Sequence, residues 1–274
     1  MRYLPREDAP ISERVWDMID GAVLNAAKSQ LAGRRILEIT GPYGLGYRGI
    51  DQGERAAGME ASWADATAAL SSAAIQPVPM LSAGFLIPIR DVASAEEHGV
   101  RLELSPAVNA AVATARLEDK LIFEGNKGLG IPGLLNVAGA AKVKLGDWGD
   151  VGTAVDDLVA AVNALSAAGF PGPYAAALAP TLYNALYLRY PDSDLLQMEQ
   201  AREIVTGGIA KAVSLKSGGV VLATGRYFAT IVMGQDMTPA FVGPSGTNYE
   251  FVVVESLAPR VIIPETICVL EAGK

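Results

Sequence analysis

Gly41-Pro42-Tyr43-Gly44-Leu45-Gly46-Tyr47-Arg48-Gly49-Ile50-Asp51-Gln52-Gly53 opens a segment, 41–74, that lacks any sustained apolar period before Trp63. Gly41, Gly44, Gly46, Gly49, Gly53 and Gly58 would each break a helix. Roughly 30 residues of weak structure are hard to place inside a compact domain, where long structureless connections are uncommon. An extended arm that folds against a neighbouring subunit resolves the conflict, because such an arm borrows its core from another chain.

Composition points the same way. Half of the 274 residues are apolar, only 19% are charged, and mean hydropathy is +0.26. The 44 alanines bring the bulky apolar share down to about 34%, still ample for a core. Such a surface suits a soluble monomer poorly. Either the chain enters a membrane or much of its surface faces other protein. Two uncharged stretches, 66–89 and 158–188, exceed the roughly 20 residues a spanning helix needs. Pro77, Pro79 and Pro88 interrupt the first; Gly169, Pro171, Gly172, Pro173 and Pro180 interrupt the second. The first eight residues carry no apolar signal-peptide region. The expectation is a cytoplasmic protein with extensive protein–protein burial. With 22 basic against 30 acidic residues, the net charge is −8, which argues against a nucleic-acid partner. Cys268, the single cysteine, allows no internal disulfide and reads as a buried thiol.

Around the arm, helices and late strands alternate. Ser12 and Glu13 start a helix with Val15, Ile19, Val23 and Ala26 on one face, stopping at Gly33. A strand is expected over 35–39 and another over 85–90. Ser105-Pro106 starts a long helix that Gly125 closes. Residues 128–152 read as a Gly-rich connection and 153–168 as a helix. A strand over 174–178, helices over 181–188 and 194–206, and strands over 219–224, 227–233, 250–256 and 266–270 complete the chain. Helices interleaved with late antiparallel strands predict an α+β fold.

No stretch assembles a catalytic constellation. Gly44–Gly49 and Gly128–Gly133 both match G-x-G-x-x-G, but neither sits between a strand and a helix opening on it, as a dinucleotide site requires. They read as loops in which glycine supplies special backbone angles. His98, the only histidine, has no second histidine for a dyad and reads as solvated beside Glu96 and Glu97. Gly243-Pro244-Ser245-Gly246 is followed by Thr247, so it is not a nucleophile elbow. The pairs Glu118-Asp119 and Asp156-Asp157 read as charged outer faces of helices. The chain is not expected to be an enzyme, and no metal or cofactor is expected.

The order of segments does resemble a known family. Leu4, Ala9-Pro10, Trp16, Ile19-Asp20, Gln30-Leu31-Ala32-Gly33-Arg34-Arg35 and Gly41-Pro42-Tyr43-Gly44 look like the N-terminus of encapsulin shell proteins. Glu118-Asp119-Lys120-Leu121-Ile122-Phe123-Glu124-Gly125, Gly130-Ile131-Pro132-Gly133-Leu134-Leu135, Gly172-Pro173-Tyr174, Met233-Gly234-Gln235-Asp236-Met237 and Val254-Glu255-Ser256 follow in the family's order.

The resemblance implies the Hong Kong 97-type phage major capsid fold and an icosahedral shell of sixty chains, or a multiple, enclosing cargo protein. By analogy, 1–45, 75–130 and 218–274 would form a peripheral domain, 46–74 the extended loop, and 131–217 an axial domain. The family's cargo groove, which takes a short extended targeting tail, carries over to Ala27, Gln30, Leu31, Arg34, Ile36, Glu38, Ile231 and Asp236. Ala27 is small where some relatives have a bulky aromatic. Arg90 stands where some members stack a flavin on tryptophan, so no flavin is expected. The five-fold pore would be lined by Arg189, Tyr190, Pro191, Asp192, Ser193 and Asp194, whose acids could draw cations. Ferritin-like iron-oxidising cargo is the first expectation for such shells and peroxidase cargo the second. The alternative to an encapsulin nanocompartment is a major capsid protein of a phage or prophage, with the same fold and different contents. A soluble enzyme with a glycine-loop cofactor site is the third class.

Overall fold

A computed structural model describes residues 6–191 and 193–272. Helix α1 (Glu13–Gln30) forms where its apolar spacing places it and buries Val15, Trp16, Ile19, Val23 and Ala27. A single helical turn, α2 (Gly33–Ile36), and a short strand, β1 (Glu38–Thr40), follow. The strand expected over 35–39 is therefore helical in its first half. The cause is distant in sequence. The Asp119 carboxylate accepts hydrogen bonds from the backbone N–H groups of Ala32 and Gly33 at 2.9–3.1 Å, which fixes the start of that turn.

The arm is an antiparallel hairpin of β2 (Gly49–Trp63) and β3 (Ala66–Pro77). It begins and ends about three residues later than the 46–74 expected. Its ladder satisfies the backbone without any apolar face, so the sequence shows no period. Next come β4 (Met80–Pro88), α3 (Ile89–His98) and α4 (Ser105–Glu124). The strand expected over 85–90 ends at Pro88. The helix after it offers only Val92 and Ala95 to the interior, too few to mark a stripe.

A tight turn carries β5 (Gly125–Asn126) and β6 (Ile131–Pro132), which pair with each other. Gly133 packs its Cα against the backbone of Phe123, Glu124 and Gly125, leaving no space for a Cβ. The rest is β7 (Ala141–Lys144), α5 (Thr153–Ala167), β8 (Tyr174–Leu178), α6 (Pro180–Ala185), α7 (Gln197–Ile204), β9 (Ile209–Lys211), β10 (Gly219–Ala223), β11 (Ala229–Ser245), β12 (Asn248–Val261) and β13 (Ile267–Glu271). The strands expected over 227–233 and 250–256 are parts of the much longer β11 and β12, whose outer halves carry polar and proline residues.

Two sheets organise the chain. One has the order β1-β11-β12-β4 and is covered by α1, α3 and α4. Trp16, Phe85 and Phe251 lie at its centre, with ring centroids 5.2–5.6 Å apart. The other has the order β7-β13-β10-β8-β9 and packs against α5 and α7. A shared core, including Ile36, Phe123, Val220, Ile231 and Val269, joins the two. β10 and β13, both within 218–274, hydrogen-bond into the sheet of β7, β8 and β9. Among the described residues, no helix is long and apolar enough to cross a membrane.

Candidate functional site

A surface groove of about 290 Å³ runs along the C-terminal half of α1. Val23, Leu24, Ala27, Leu31 and Met237 form its apolar walls; Lys28, Arg34, Arg35 and Asp236 give it polar edges. Helical spacing explains the first wall, since Val23, Ala27 and Leu31 recur every four residues on one side of α1. The opposite wall comes from β11. There the pairing with β12 slips between Met233 and Gln235 and again between Gln235 and Thr238. Such bulges re-aim side chains at a sheet edge, and here Asp236 and Met237 are turned toward the groove.

Beneath the groove lies a charge cluster. Arg34 donates from Nε to Glu118 Oε1 at 2.7 Å, from Nη2 to Glu118 Oε2 at 2.9 Å and from Nη1 to Asp236 Oδ1 at 2.9 Å. Nη2 also donates to Glu255 Oε1. Glu118 and Glu255 have fully buried side chains, whereas Asp236 is 58% exposed. Among the described residues, the second oxygen of Glu255, Oε2, is buried without a hydrogen-bond partner. Burial, with the neighbouring Glu118 charge, pushes the Glu255 carboxyl up to about 9 against the opposing pull of Arg34. Burial alone would lower the Arg34 pKa, but the hydrogen bond and charge of Glu118 and the charge of Glu255 outweigh it and hold it above its ordinary value. Asp119, one residue on, is pushed by burial up to about 6, although its bonds from Gly33 and Ala32 oppose the rise.

The pair Glu118-Asp119 was expected on a solvated face. It is buried instead, because it falls on the inward stripe Ala111–Ala115–Glu118–Ile122 of α4 and finds partners in α2 and in Arg34. That stripe was legible as spacing, and only the acidic residue types masked it. Glu255 was likewise hidden in the apolar run of β12.

Of the residues assigned to a cargo groove, Ala27, Leu31, Arg34 and Asp236 line this one. Gln30 sits beside it, its Oε1 accepting from Arg116 Nε at 3.2 Å. Ile36 and Ile231 are core residues, and Glu38 is exposed on β1, next to the register pair Ile39–Ile231. Val23, Leu24, Lys28, Arg35 and Met237 line the groove without having been singled out.

The remaining candidates fall elsewhere. Arg189 and Asp194 form an exposed ion pair at 3.3 Å. Tyr190 donates from its hydroxyl to Gln200 Oε1 at 2.6 Å, and Leu195 N donates to Ser193 Oγ at 3.1 Å, which shapes the loop that also holds Pro191. Asp192 lies outside the described residues. Arg90 is exposed in the first turn of α3. Neither glycine motif opens a helix of a nucleotide site: Gly44–Gly49 leads into β2, and Gly128–Gly133 forms the tight turn after α4. His98 is 71% exposed beside Glu97. Cys268 is buried, and burial pushes its thiol up to about 11. Asp157 is not simply solvated, since it accepts from Gly146 N and Trp148 Nε1 at 2.9 and 2.8 Å. Among the described residues, no cluster of three or more metal-ligating side chains occurs.

The family model described as "Encapsulating protein for peroxidase" (Linocin_M18) matches residues 1–258. The chain belongs to the encapsulin family. It is 34% identical, over 99% of its own length and 97% of the relative's, to the type 1 encapsulin shell protein EncA of Myxococcus xanthus. It is 32% identical, over 95% of this chain and 74% of the relative, to a diheme-cytochrome–encapsulin shell fusion protein of Kuenenia stuttgartiensis. A ferritin-like–encapsulin shell fusion protein of Pyrococcus furiosus is 29% identical over 72% of this chain and 53% of the relative. In structure, the chain matches the virus-like particle from Pyrococcus furiosus with a TM-score of 0.72 at 24% identity, covering 94% of this chain and 99% of that one. It matches the capsid of Myoviridae phage XM1 with a TM-score of 0.61 at 15% identity, covering 86% and 90%. The fold is thus the Hong Kong 97-type capsid fold, α+β in content, and this encapsulin is a structural shell protein that forms a capsid-like nanocompartment. Between the two readings that share this fold, the sequence relatives select the encapsulin.

Proposed function

We propose that the groove beside α1 receives an extended tail of the enclosed cargo protein on the inner wall of the shell. The observation that carries this reading is the groove itself: apolar side chains of α1 and β11, with Leu24 exposed at its edge, line one hollow beside the Arg34 cluster. An extended peptide with alternate apolar side chains fits such walls, and a carboxylate on it would meet Lys28 and Arg35 at the rim. Ala27 leaves room for a bulky anchor where a large residue would fill the hollow.

Ferritin-like cargo is our first reading, supported by the fusion of such a domain to a relative's shell; peroxidase is the second, supported by the family description. A shell around iron-oxidising cargo serves iron storage or protection from oxidative stress, and it works in the cytoplasm. We assign the four-stranded-sheet half to the peripheral domain, β2 and β3 to the extended loop, and the five-stranded-sheet half to the axial domain. The 189–194 loop would then face a five-fold pore that filters small solutes. Sixty chains, or a multiple, close the shell. Mass spectrometry of protein that co-purifies inside native particles tests the cargo reading. A ferritin-like protein or peroxidase with an apolar terminal tail supports it, and particles filled only with nucleic acid contradict it.

A further inference from the structure

A second hollow, of about 230 Å³, opens between the start of β11 and the loop over 41–48. It shares no residue with the groove beside α1. Its floor is one face of the sheet. Thr230 and Arg260 are register partners on β11 and β12, and Thr40 and Val232 are partners on β1 and β11. Strand alternation puts all four on that face. Val232 and the neighbouring Ile50 are buried and make the floor apolar.

The walls are aromatic. Tyr43 N donates to Met233 O at 3.0 Å and Gly44 N to Gly234 O at 2.7 Å, which pins the loop against β11. Gly41, at φ +110, lies so close to the Met233 carbonyl that a Cβ has no space there. The loop thereby holds the Tyr43 and Tyr47 rings 4.9 Å apart. Arg226 and Tyr227 come from the turn before β11, with the guanidinium 5.6 Å from the Tyr227 ring centre. Both are exposed.

The charge is one-sided. In a chain of net charge −8, no described residue lining this hollow is acidic, and two are arginines. Arg260 Nη2 reaches the Asp51 carbonyl oxygen at a long 3.4 Å. Among the described residues, Arg260 Nε is buried without a hydrogen-bond partner. Buried N–H groups nearly always find an acceptor, so this one is matched to an oxygen brought by a ligand. Guanidinium groups suit phosphate oxygens. Two of them balance the charge of about −1.5 to −2 on a phosphate monoester better than the single charge of a carboxylate. A cavity of about 150 Å³ lodges a benzene ring, so this one takes a ring the size of a nucleobase, and bases stack readily on tyrosine faces.

We propose that this hollow binds a phosphate monoester carried on a planar aromatic ring, the class of a nucleoside monophosphate. The ring lies among Tyr43, Tyr47 and Tyr227, and the phosphate accepts hydrogen bonds from Arg226 and Arg260. Binding is non-covalent, and the inference is independent of the cargo-groove reading.

Equilibrium dialysis of empty shells, assembled from this chain alone, against labelled adenosine monophosphate tests it. The expected result is saturable binding that approaches one nucleotide per chain. Adenosine lacks the anion and inorganic phosphate lacks the ring, so each should compete at least about tenfold more weakly. Arg260→Gln and Arg226→Gln should each weaken binding about tenfold or more while the shell diameter stays unchanged. If Arg260→Gln fails to assemble, Arg226→Gln and Tyr227→Ala, both at exposed positions, decide. No saturable binding at millimolar nucleotide, or binding unchanged in those two variants, overturns the proposal. Inorganic phosphate or adenosine that competes as well as the nucleotide overturns it too, since the ring or the phosphate would then play no part.

Discussion

Arg34 and Glu118 are joined by two parallel hydrogen bonds, Nε to Oε1 at 2.7 Å and Nη2 to Oε2 at 2.9 Å, across 84 residues of sequence. The pair ties α2 to α4 at the floor of the groove. Removing one partner leaves the other charge buried. Glu118→Ala is therefore expected to cost about 3–5 kcal/mol and to cut the yield of soluble shells sharply. Arg34→Lys keeps the charge but loses the paired geometry, so it should weaken thermal stability less than Glu118→Ala does.

Glu255 sets a pH dependence. Its carboxyl is pushed by burial up to about 9 in the folded chain, against a reference value of 4.5. The folded state then holds the proton more tightly than the unfolded state. Its contribution is fully present below about pH 4.5 and is lost as pH rises through about 9. Asp119, raised to about 6 from 3.8, adds a decline at the acid end of the same window. Glu255→Gln keeps the shape and removes the upper titration. Thermal unfolding of shells across that range should show a flatter alkaline decline in the variant than in the unsubstituted protein.

Ala27 is the small residue in the α1 wall of the groove, 3% exposed. Ala27→Phe should fill the hollow and abolish co-purification of cargo while the shell diameter by electron microscopy stays unchanged. Normal cargo content in that variant would move the docking site elsewhere.

Gly133 meets the backbone of the α4 C-terminus with no space for a Cβ. Gly133→Ala should destabilise the subunit by about 1–3 kcal/mol through overpacking, seen as a lower denaturant midpoint. Gly130, in the same glycine motif, has φ +66 but open space around it, so the strain of Gly130→Ala is confined to its own backbone.

Asp194 extends fully into solvent from the 189–194 loop and, among the described residues, pairs with Arg189 alone. If that loop lines the pore, Asp194→Asn should slow entry of ferrous iron into cargo-loaded shells, read as the initial oxidation rate. The iron capacity should stay unchanged.

Helices with a full apolar stripe, such as α1 and α5, could be read from the sequence, as could the buried strands β8 and β10. The hairpin could be read only as an arm needing a partner, since paired backbone leaves no trace in Ala, Ser and Gly residues. The strand boundary at Arg35 was hidden because a carboxylate 84 residues away, on Asp119, sets the local turn. For the groove, resemblance pointed to Ala27, Leu31, Arg34 and Asp236. Met237 owes its place to bulges in β11 that no periodicity announces. The buried acids Glu118 and Glu255 break the rule that charge means surface, and their partners become visible only once α2, α4 and β12 are brought together.

The most direct test of the account is an electron cryo-microscopy reconstruction of the purified protein with its native contents. The account predicts a closed, hollow shell with the α1 groove on the inner wall and an extended peptide density between Leu24, Ala27 and Met237. A groove that faces outward, or stays empty in cargo-filled shells, would contradict it.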